Sequence, residues 1–449
     1  MQNSEFKFDS FFGQKIDNSI LELDKIASPS SFDENSLKEG ACLFTYKGNH
    51  ELTLGKLIND GTEGRVYRVT GEELAVKIYK PRARTELKRK KLEKMIELDC
   101  LKKSIAWPID IVTYNGEFVG FVMTLIEGKS LMSLTQNPIR IKRSYKSFDR
   151  LIEVNMIIEL LNAFKYLHQI NVLVGDVSLK NVNFDKKTYD ITLVDIDGAQ
   201  LDRFPCVSTT DGYDAEEVIK ASYKERGVAP VSQELANYYR SYYRTEEMEQ
   251  FAVSVLLYRF LMNGYKPYDY RDFGKFGYEY NDNELCAGLS FPYSETASRV
   301  KTDACEKALW SHLPSFLKTA FVNTFQKGVR YTDNDWLRLF KRYKELLESG
   351  ELLQADSEAF NFYPEKKIDY SYVKYEAMEP FTECALTLWQ ASGKILKSLD
   401  DDAFKGKGKF AHEIARALED KPSYKIGRYS FDLVYNIGVL KAVKCKYVL

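Results

Sequence analysis

The chain has 449 residues, of which 44% are hydrophobic and 14% aromatic, and its 64 basic and 65 acidic residues leave a formal net charge of −1. This apolar content is sufficient for a packed core and excludes wholesale disorder, and the length allows two or three domains or one large bilobal unit with extensions. The near balance of charge gives no indication of a protein that binds nucleic acid or a membrane surface, so neither is expected as a partner.

Signals for export, membrane insertion and disulfide bonding are missing from the sequence. The first residues, MQNSEFKFDSFF, lack the basic-then-apolar layout of a signal peptide. The longest apolar run, residues 251–262, is interrupted by Ser254 and Arg259 and is too short to span a bilayer. The seven cysteines are scattered without CxxC or Cys/His spacing, so a disulfide framework and a zinc site are not expected. We therefore predict a cytoplasmic protein with reduced thiols and no membrane partner.

The first third of the chain is predicted to be rich in β-strands. Residues 1–50 are expected to form an irregular N-terminal extension with a linker-like Ser/Pro/Asp/Asn-rich patch at 28–35. From residue 51, short β-branched runs punctuated by glycine predict an antiparallel sheet. A charged segment over 82–101, with its apolar residues roughly on one face, predicts a helix. A further strand pair completes a first lobe at 51–128.

The second part of the chain is predicted to be mostly helical. An amphipathic helix over 151–169 precedes a polar loop that two short strands flank, at 172–174 and 192–194. Helices then continue to the end of a second lobe at 129–349, and a change of pattern predicts an accessory domain of unknown role at 350–449. We therefore predict an α+β protein with two lobes, and a ligand site between them.

A glycine-containing turn follows the first strand of the predicted sheet. Its sequence is Asn59-Asp60-Gly61-Thr62-Glu63-Gly64-Arg65-Val66. Glycine at 61 and 64 lets the backbone approach a polyanion, so that backbone N–H groups can face phosphate oxygens. An ordinary hairpin turn is the alternative interpretation.

A lysine lies in the strand that comes after this turn. Lys77 is the third residue of the apolar run AVKI at 75–78, so its ammonium is expected to point into a cleft and to need an anion there. A phosphate and a carboxylate would both serve, and a lysine that snorkels from an edge strand is the alternative. By spacing, the carboxylate is expected from Glu93 of the next helix, with Glu97 second.

Three oxygen-bearing side chains follow the helix at 151–169. Asp176 and Asn181 lie five residues apart in one loop, and Asp195 comes fourteen residues later, after an apolar strand. Phosphoryl transfer needs a carboxylate that orients the attacking hydroxyl and accepts its proton, which suits Asp176. It also needs oxygen ligands for magnesium, which suits Asn181 and Asp195. Each residue alone could instead be a turn or cap residue.

The order of these features resembles that of protein kinases. Residues from about 52 to 345 contain a glycine turn, AVK, a helix glutamate, D-x-x-x-x-N and a later Asp in the kinase order. The chain is similar to the bacterial, eukaryotic-like (Hanks-type) Ser/Thr kinases that carry G-D-V-x-x-x-N and D-x-D. The resemblance implies a bilobal kinase fold, ATP with Mg²⁺ or Mn²⁺, and transfer of the γ-phosphoryl group to Ser or Thr of a protein substrate. It also implies a metal-dependent Ser/Thr phosphatase as a partner.

The resemblance also assigns roles to residues of the predicted cleft. The implied nucleotide-binding residues, with Met123 as gatekeeper and the three that follow it as the adenine-facing hinge, are Asn59, Gly61, Gly64, Val66, Ala75, Lys77, Glu93, Met123, Thr124, Leu125 and Ile126. The implied catalytic residues are Asp176, Lys77 and Lys180, and the implied metal ligands are Asn181 and Asp195.

Further positions extend the resemblance beyond the cleft. Glu217 is placed like the glutamate that ends a kinase activation segment, and Arg330 like the arginine that pairs with it. Glu249 stands where kinases have an aspartate that supports the catalytic loop. Hydroxyl residues at 208–210 make autophosphorylation an expectation.

The sequence departs from the kinase pattern in several places. Asn59 replaces the first glycine, and residues 174–175 are Val-Gly where kinases have His-Arg, so the arginine that reads a phosphorylated activation segment is missing. Lys180 lies four residues after Asp176 and could reach the phosphate that a lysine two residues after it usually contacts. Asp197 stands near the magnesium Asp, where a second metal carboxylate and a turn cap are both consistent with it.

Three functions are consistent with this pattern. An active protein kinase agrees with the complete set of base and metal residues. A pseudokinase scaffold that binds nucleotide without turnover is favoured by the altered glycine turn and the missing His-Arg. A small-molecule kinase of the aminoglycoside or choline type shares the catalytic-loop motif but not the segment around Glu217 and Arg330.

Overall fold

The computed structural model has a β-rich first part and a helical second part, so the predicted α+β class is confirmed. The residues that the structure describes are 14–28, 31–100, 102–135, 141, 143–210, 212–215, 218, 238–267, 291–293 and 304–349, with the backbone of 423–426, 429–436 and 439–447. No helix in these ranges combines the length and the apolar character that crossing a bilayer requires.

Six strands in the first part close into an antiparallel barrel. They are β1 Cys42–Thr45, β2 Glu51–Asp60, β3 Gly64–Val69, β4 Leu74–Tyr79, β5 Pro108–Tyr114 and β6 Glu117–Thr124. Around the barrel the strands follow the order β1-β2-β3-β4-β6-β5, and β1 also pairs with β5. Alternate apolar side chains such as Leu52 and Leu54 point inward and are buried, as the period of a strand requires.

The predicted N-terminal extension contributes more structure than an irregular linker would. Strand β1 pairs with β2 at Leu43 and with β5 at Phe44, so it fills the gap between two edges of the sheet. The side chain of Leu43 is buried in the barrel core. Upstream, helix α1 (Asn18–Lys25) begins after Asp17, whose carboxylate accepts from the backbone of the first turn.

Helix α2 (Glu86–Leu98) follows β4 and agrees with the helix predicted over 82–101. It begins after Thr85, whose hydroxyl accepts a backbone N–H of the first turn, and it ends at Asp99, which adopts a left-handed conformation with φ of 48°. Leu92 and Met95 on its inner face are fully buried, which is the one-sided apolar pattern that the sequence indicated.

Five helices form the described part of the second region. They are α3 Arg150–Gln169, α4 Glu246–Leu261, α5 Ala304–Ser311, α6 Ser315–Lys327 and α7 Asp333–Ser349. Helix α4 is buried from Met248 to Leu261, so it is the central helix of this region. Helix α7 packs against it through Trp336, whose indole N–H donates to the hydroxyl of Ser254 at 3.1 Å.

Short strands before and after α3 carry the loops of the candidate site. They are β7 Lys129–Ser130, β8 Val172–Leu173, β9 Val182–Phe184, β10 Ile191–Leu193 and β11 Gln200–Leu201. Strand β9 pairs with β10 and β7, and β8 pairs with β11. The β9–β10 and β8–β11 pairings are antiparallel, so the loop that joins β8 to β9 and the segment that joins β10 to β11 lie next to each other.

The C-terminal region contains a three-stranded antiparallel sheet. Its strands are β12 Ser423–Ile426, β13 Tyr429–Asn436 and β14 Val439–Tyr447. These strands fall within the accessory domain predicted at 350–449, whose role stays a prediction.

Candidate functional site

Lys77 is where the barrel meets the segment after β10. Its side chain is buried, and its Nζ donates to Asp195 Oδ1 and, at 2.6 Å, to Asp197 Oδ1. Burial works against the charged amine, but the two carboxylates outweigh it and raise the pKa of Lys77 above its ordinary value. Lys77 is therefore a fixed cation held by two acids from the other part of the molecule, and not a snorkelling edge lysine.

Asp197 is the more buried of these two acids. Its side chain is 1% exposed, and its second oxygen accepts from the hydroxyl of Tyr79 at 2.6 Å and lies 3.8 Å from Nζ of Lys88. Burial alone would raise the pKa of Asp197, yet Lys77 and Lys88 lower it well below its ordinary value. Asp197 is therefore a buried carboxylate that stays ionised because cations and a hydroxyl surround it.

Asp195 begins a tight turn after β10. It adopts a left-handed conformation with φ of 60° and ψ of 35°, and a 3-10 turn over Ile196–Gly198 follows it. Asp and Asn adopt this conformation more readily than other non-glycine residues, as Asp99 also does at the end of α2. The turn brings Asp195 and Asp197 to the same lysine while leaving the side chain of Asp195 53% exposed.

Asp176 and Asn181 face this segment from the loop after β8. The Nδ2 of Asn181 donates to the backbone carbonyl of Asp176 at 2.9 Å, so the two residues hold one loop conformation. The N–H of Val194 donates to the carbonyl of Asn181 at 2.9 Å, which places Asn181 beside the residue that precedes Asp195. The hydroxyl of Thr210 donates to Asp176 Oδ1 at 2.6 Å. The carboxylate of Asp176 therefore already accepts a hydrogen bond from a hydroxyl group.

The backbone just before Asp176 is held by hydrogen bonds to the side chain of Glu249. This buried carboxylate accepts from the backbone N–H groups of Val174 at 2.9 Å and Gly175 at 2.6 Å. Gly175 has a φ of +74°, and a Cβ there would lie 2.4 Å from Sγ of Cys206. Glycine is required at this position both by the backbone conformation and by the space.

The ring of His168 also contacts Glu249. Its Nε2 lies 2.9 Å from Glu249 Oε1 and its Nδ1 lies 2.6 Å from Asp333 Oδ2. Only the protonated imidazole has two donors for two carboxylates. Burial opposes the charge, but the hydrogen bonds that the ring donates to Asp333 and Glu249 raise the pKa of His168 from 6.5 to about 10.

This raised pKa predicts a pH-dependent stability. Because His168 binds its proton more tightly in the folded state, its stabilising effect is complete below about pH 6.5 and is lost as the pH rises through about 10. We expect the difference in unfolding midpoint between the natural chain and a His168→Gln variant to shrink over this range. Urea unfolding at pH 6, 8 and 10 measures it, and a difference that does not change with pH would contradict the prediction.

The structure does not bring Glu93 to Lys77. The carboxylate of Glu93 accepts from Arg89 one turn earlier in α2, at 2.8 Å, and Glu97 pairs with Lys94 at 3.3 Å. Intrahelical pairs at these spacings satisfy both acids locally. Asp195 and Asp197, and not Glu93, are the carboxylates in contact with Lys77.

Helix α2 turns lysines toward the site. Nζ of Lys88 lies 2.5 Å from Glu63 Oε2 of the glycine turn. The buried Lys91 donates to the carbonyls of Pro205 at 2.6 Å and Gly198 at 3.2 Å, and burial lowers its pKa from 10.5 to about 8. The helix therefore connects the glycine turn with the segment after Asp195 through cations.

The glycine turn connects β2 with β3 next to the lysine strand. Asn59 and Val66 are register partners in these strands, and Val66 is in turn the partner of Lys77. The N–H of Gly61 donates to the carbonyl of Gly64 at 2.9 Å. A Cβ at Gly64 would lie 2.6 Å from the carbonyl oxygen of Ile78, so this glycine also permits close approach of β3 and β4.

The predicted adenine-facing residues lie at the end of β6, beside the same strand. Ala75 and Met123 are register partners, and Thr124 follows Met123 at the end of the strand. Leu125 is held by a hydrogen bond from its N–H to the carbonyl of Glu73 at 3.0 Å. Leu125 is buried, Met123 and Ile126 are half-buried, and Thr124 is exposed.

The remaining residues singled out from the sequence are Lys180, Arg330 and Glu217. Lys180 is exposed in the 3-10 turn Leu179–Asn181, between Asp176 and Asn181. Arg330 packs with its guanidinium over the ring of Phe251 at 4.9 Å, whereas Glu217 lies outside the described residues, so their pairing stays a prediction.

Asn181 and Asp195 each offer an oxygen atom to a cation. The amide nitrogen of Asn181 is used in its bond to Asp176, which leaves the amide oxygen for a cation, and Asp195 exposes its carboxylate. Within the described ranges, no cluster of three or more His, Cys, Asp and Glu side chains could hold a metal ion by itself. Two oxygen donors are fewer than a divalent cation needs, so a metal ion here would have to bring further oxygen ligands of its own.

The sequence interpretation missed the roles of Tyr79 and Lys88 and left that of Asp197 open. Tyr79 lies two residues after Lys77, on the same face of the strand, and this period was a signal that could have identified it. Lys88 carries no such signal, because its contact with Asp197 joins residues more than a hundred positions apart.

Comparisons with known proteins add no assignment to this geometry. No model of a protein family matches the sequence. No curated protein matches it either.

Proposed function

We propose that the chain is an ATP- and Mg²⁺-dependent (or Mn²⁺-dependent) protein kinase with a bilobal kinase-like fold, which transfers the γ-phosphoryl group to Ser or Thr of protein substrates. The observation that carries the proposal is the convergence of Lys77 from the barrel, the Asp176–Asn181 loop and Asp195 on one place. These are a cation, a candidate base and two oxygen ligands, which phosphoryl transfer uses together.

Asp176 would orient the attacking hydroxyl and accept its proton. The hydroxyl of Thr210 at 2.6 Å from Asp176 Oδ1 supports this role, because a substrate hydroxyl in its place would be aligned in the same way. The bond from Asn181 to the carbonyl of Asp176 restricts the loop, so the carboxylate needs little reorganisation.

Lys77 would hold the anionic end of a nucleotide, and Asn181 and Asp195 would supply oxygen ligands to its metal ion. The bound ATP-metal complex supplies the electrophilic phosphoryl group. The exposed Lys180, in the turn between Asp176 and Asn181, is suited to attract the transferred phosphate. A cytoplasmic location, autophosphorylation at 208–210 and an opposing Ser/Thr phosphatase remain parts of the proposal that rest on the resemblance.

A nucleotide-binding pseudokinase is the second candidate. Two observations favour it. Asp195, the proposed metal ligand, is ion-paired with Lys77, and the hydroxyl of Thr210 already donates to the carboxylate of Asp176 that a substrate hydroxyl would need. Such a protein would bind nucleotide and change conformation without turnover.

We expect ATP with Mg²⁺ to raise the melting temperature of the natural chain, since a ligand that binds only the folded state stabilises it. A Lys77→Met variant should lose this rise because the buried cation is removed. A Lys56→Met variant, altered at an exposed position of β2, should keep it.

Transfer of labelled phosphate to a generic protein substrate separates the candidates. Label on Ser or Thr supports the kinase, and stabilisation by nucleotide without label supports the pseudokinase. Label found only on small metabolites would select the small-molecule kinase, and no response to nucleotide at all would contradict the proposal.

A further inference from the structure

The two carboxylates that contact Lys77 differ in their surroundings. Asp195 is 53% exposed and is the proposed metal ligand, whereas Asp197 is 1% exposed. We propose that Asp197 is the positioning residue that holds Lys77 in the nucleotide cleft, in the role for which the sequence indicated Glu93. This inference rests on the proposed function, and it identifies the carboxylate that positions Lys77 for nucleotide binding.

Both oxygens of Asp197 are engaged by the protein. Oδ1 accepts from Lys77 at 2.6 Å, and Oδ2 accepts from the hydroxyl of Tyr79 at 2.6 Å with Nζ of Lys88 at 3.8 Å. A buried carboxylate with both oxygens satisfied is not suited to bind a metal ion that also needs phosphate and water ligands. It is suited to hold its cation in one geometry, because charge-assisted hydrogen bonds are strong and directional.

The contacts of Asp197 depend mainly on the strand that carries Lys77. Tyr79 lies on β4 two residues after Lys77, so the same strand presents the lysine and fixes its acid. Helix α2 adds only the more distant Lys88, and its Glu93 is turned to Arg89. Lys77 therefore remains paired with Asp197 when Asp195 binds a metal ion. This pairing needs no carboxylate from α2.

Steady-state kinetics of the full chain tests the assignment with three variants. We expect Asp197→Asn to raise the KM for ATP about tenfold or more, the size of a lost charge-assisted hydrogen bond. Tyr79→Phe should raise it less, because Asp197 keeps its charge and Lys77. Glu93→Gln, the matched change of a carboxylate on α2, should leave KM and kcat within about twofold of the natural chain.

Three results would overturn the assignment. They are a raised KM in Glu93→Gln with an unchanged Asp197→Asn, unchanged values in all three variants, and an Asp197→Asn defect that excess Mg²⁺ restores at saturating ATP. The last result would make Asp197 a metal ligand. If Asp197→Asn does not fold, Tyr79→Phe against Glu93→Gln decides the matter by the same comparison.

A second readout does not depend on nucleotide. In thermal unfolding, Lys77→Met and Asp197→Asn should be strongly non-additive, because each removes the partner of the other, whereas Lys77→Met and Glu93→Gln should add. Additive shifts for Lys77 and Asp197 would overturn the pairing. A natural chain that neither binds nor turns over ATP would instead contradict the proposed function, while the non-additivity would still report the pairing.

Discussion

An Asp176→Asn variant is expected to lose phosphoryl transfer by about 10²–10⁴-fold, which is the usual contribution of a positioned general base. The amide has the shape of the carboxylate and can still accept the hydrogen bond that Thr210 donates, so the loop should keep its conformation. What it loses is the capacity to take up a proton. The loss should therefore appear in kcat, measured as labelled phosphate on a generic protein substrate.

An Asp190→Asn variant provides the matched control. Asp190 is exposed just before β10, outside the site, so the same chemical change there should leave kcat unaltered. Stabilisation by ATP and Mg²⁺ should survive in both variants, since neither removes Lys77 or Asp195. Equal transfer by the natural chain and Asp176→Asn would count heavily against the kinase.

A Glu249→Ala variant is expected to lower the free energy of unfolding by about 3–5 kcal/mol, the cost of removing one partner from a buried ionic pair. Glu249 is 2% exposed, and three groups depend on it: the N–H groups of Val174 and Gly175, and the ring of His168. After the change, His168 keeps a single carboxylate, and two buried N–H groups lose their acceptor. Urea unfolding at pH 7 measures the effect.

Glu247→Ala is the control for this prediction. Glu247 is exposed in the same first turn of α4, so its removal should change the free energy of unfolding by no more than about 0.5 kcal/mol. If Glu249→Ala unfolds at the same urea concentration as Glu247→Ala, the carboxylate does not hold the loop that precedes Asp176.

Much of the architecture could be predicted from local pattern. The α+β order, the helix that proved to be α3, and the helix that proved to be α2 were all indicated by the apolar pattern of the sequence. The barrel could not be predicted, because β1 is a four-residue strand whose pairing with β5 joins residues more than sixty positions apart. A strand of that length carries too little period to be recognised by itself.

The candidate site was predictable where spacing within a segment carries the chemistry. Asp176 and Asn181 share one loop, as their spacing indicated, and Asn181 donates to the backbone carbonyl of Asp176. The partner of Lys77 was not predictable in this way. Glu93 and Asp197 are both acids at plausible positions, and the contact of Asp197 with Lys77 joins residues 120 positions apart.

The sequence by itself determined which chemical groups are available: an amine on a strand, a carboxylate and an amide in one loop, and an acid after the next strand. It did so because dihedral preferences and side-chain period act between near neighbours. Tertiary structure decided which acid meets the amine, since Asp197 reaches Lys77 only after the turn at Ile196–Gly198 folds against β4. That choice depends on the burial and hydrogen bonding of groups far apart in the chain, which no local pattern contains.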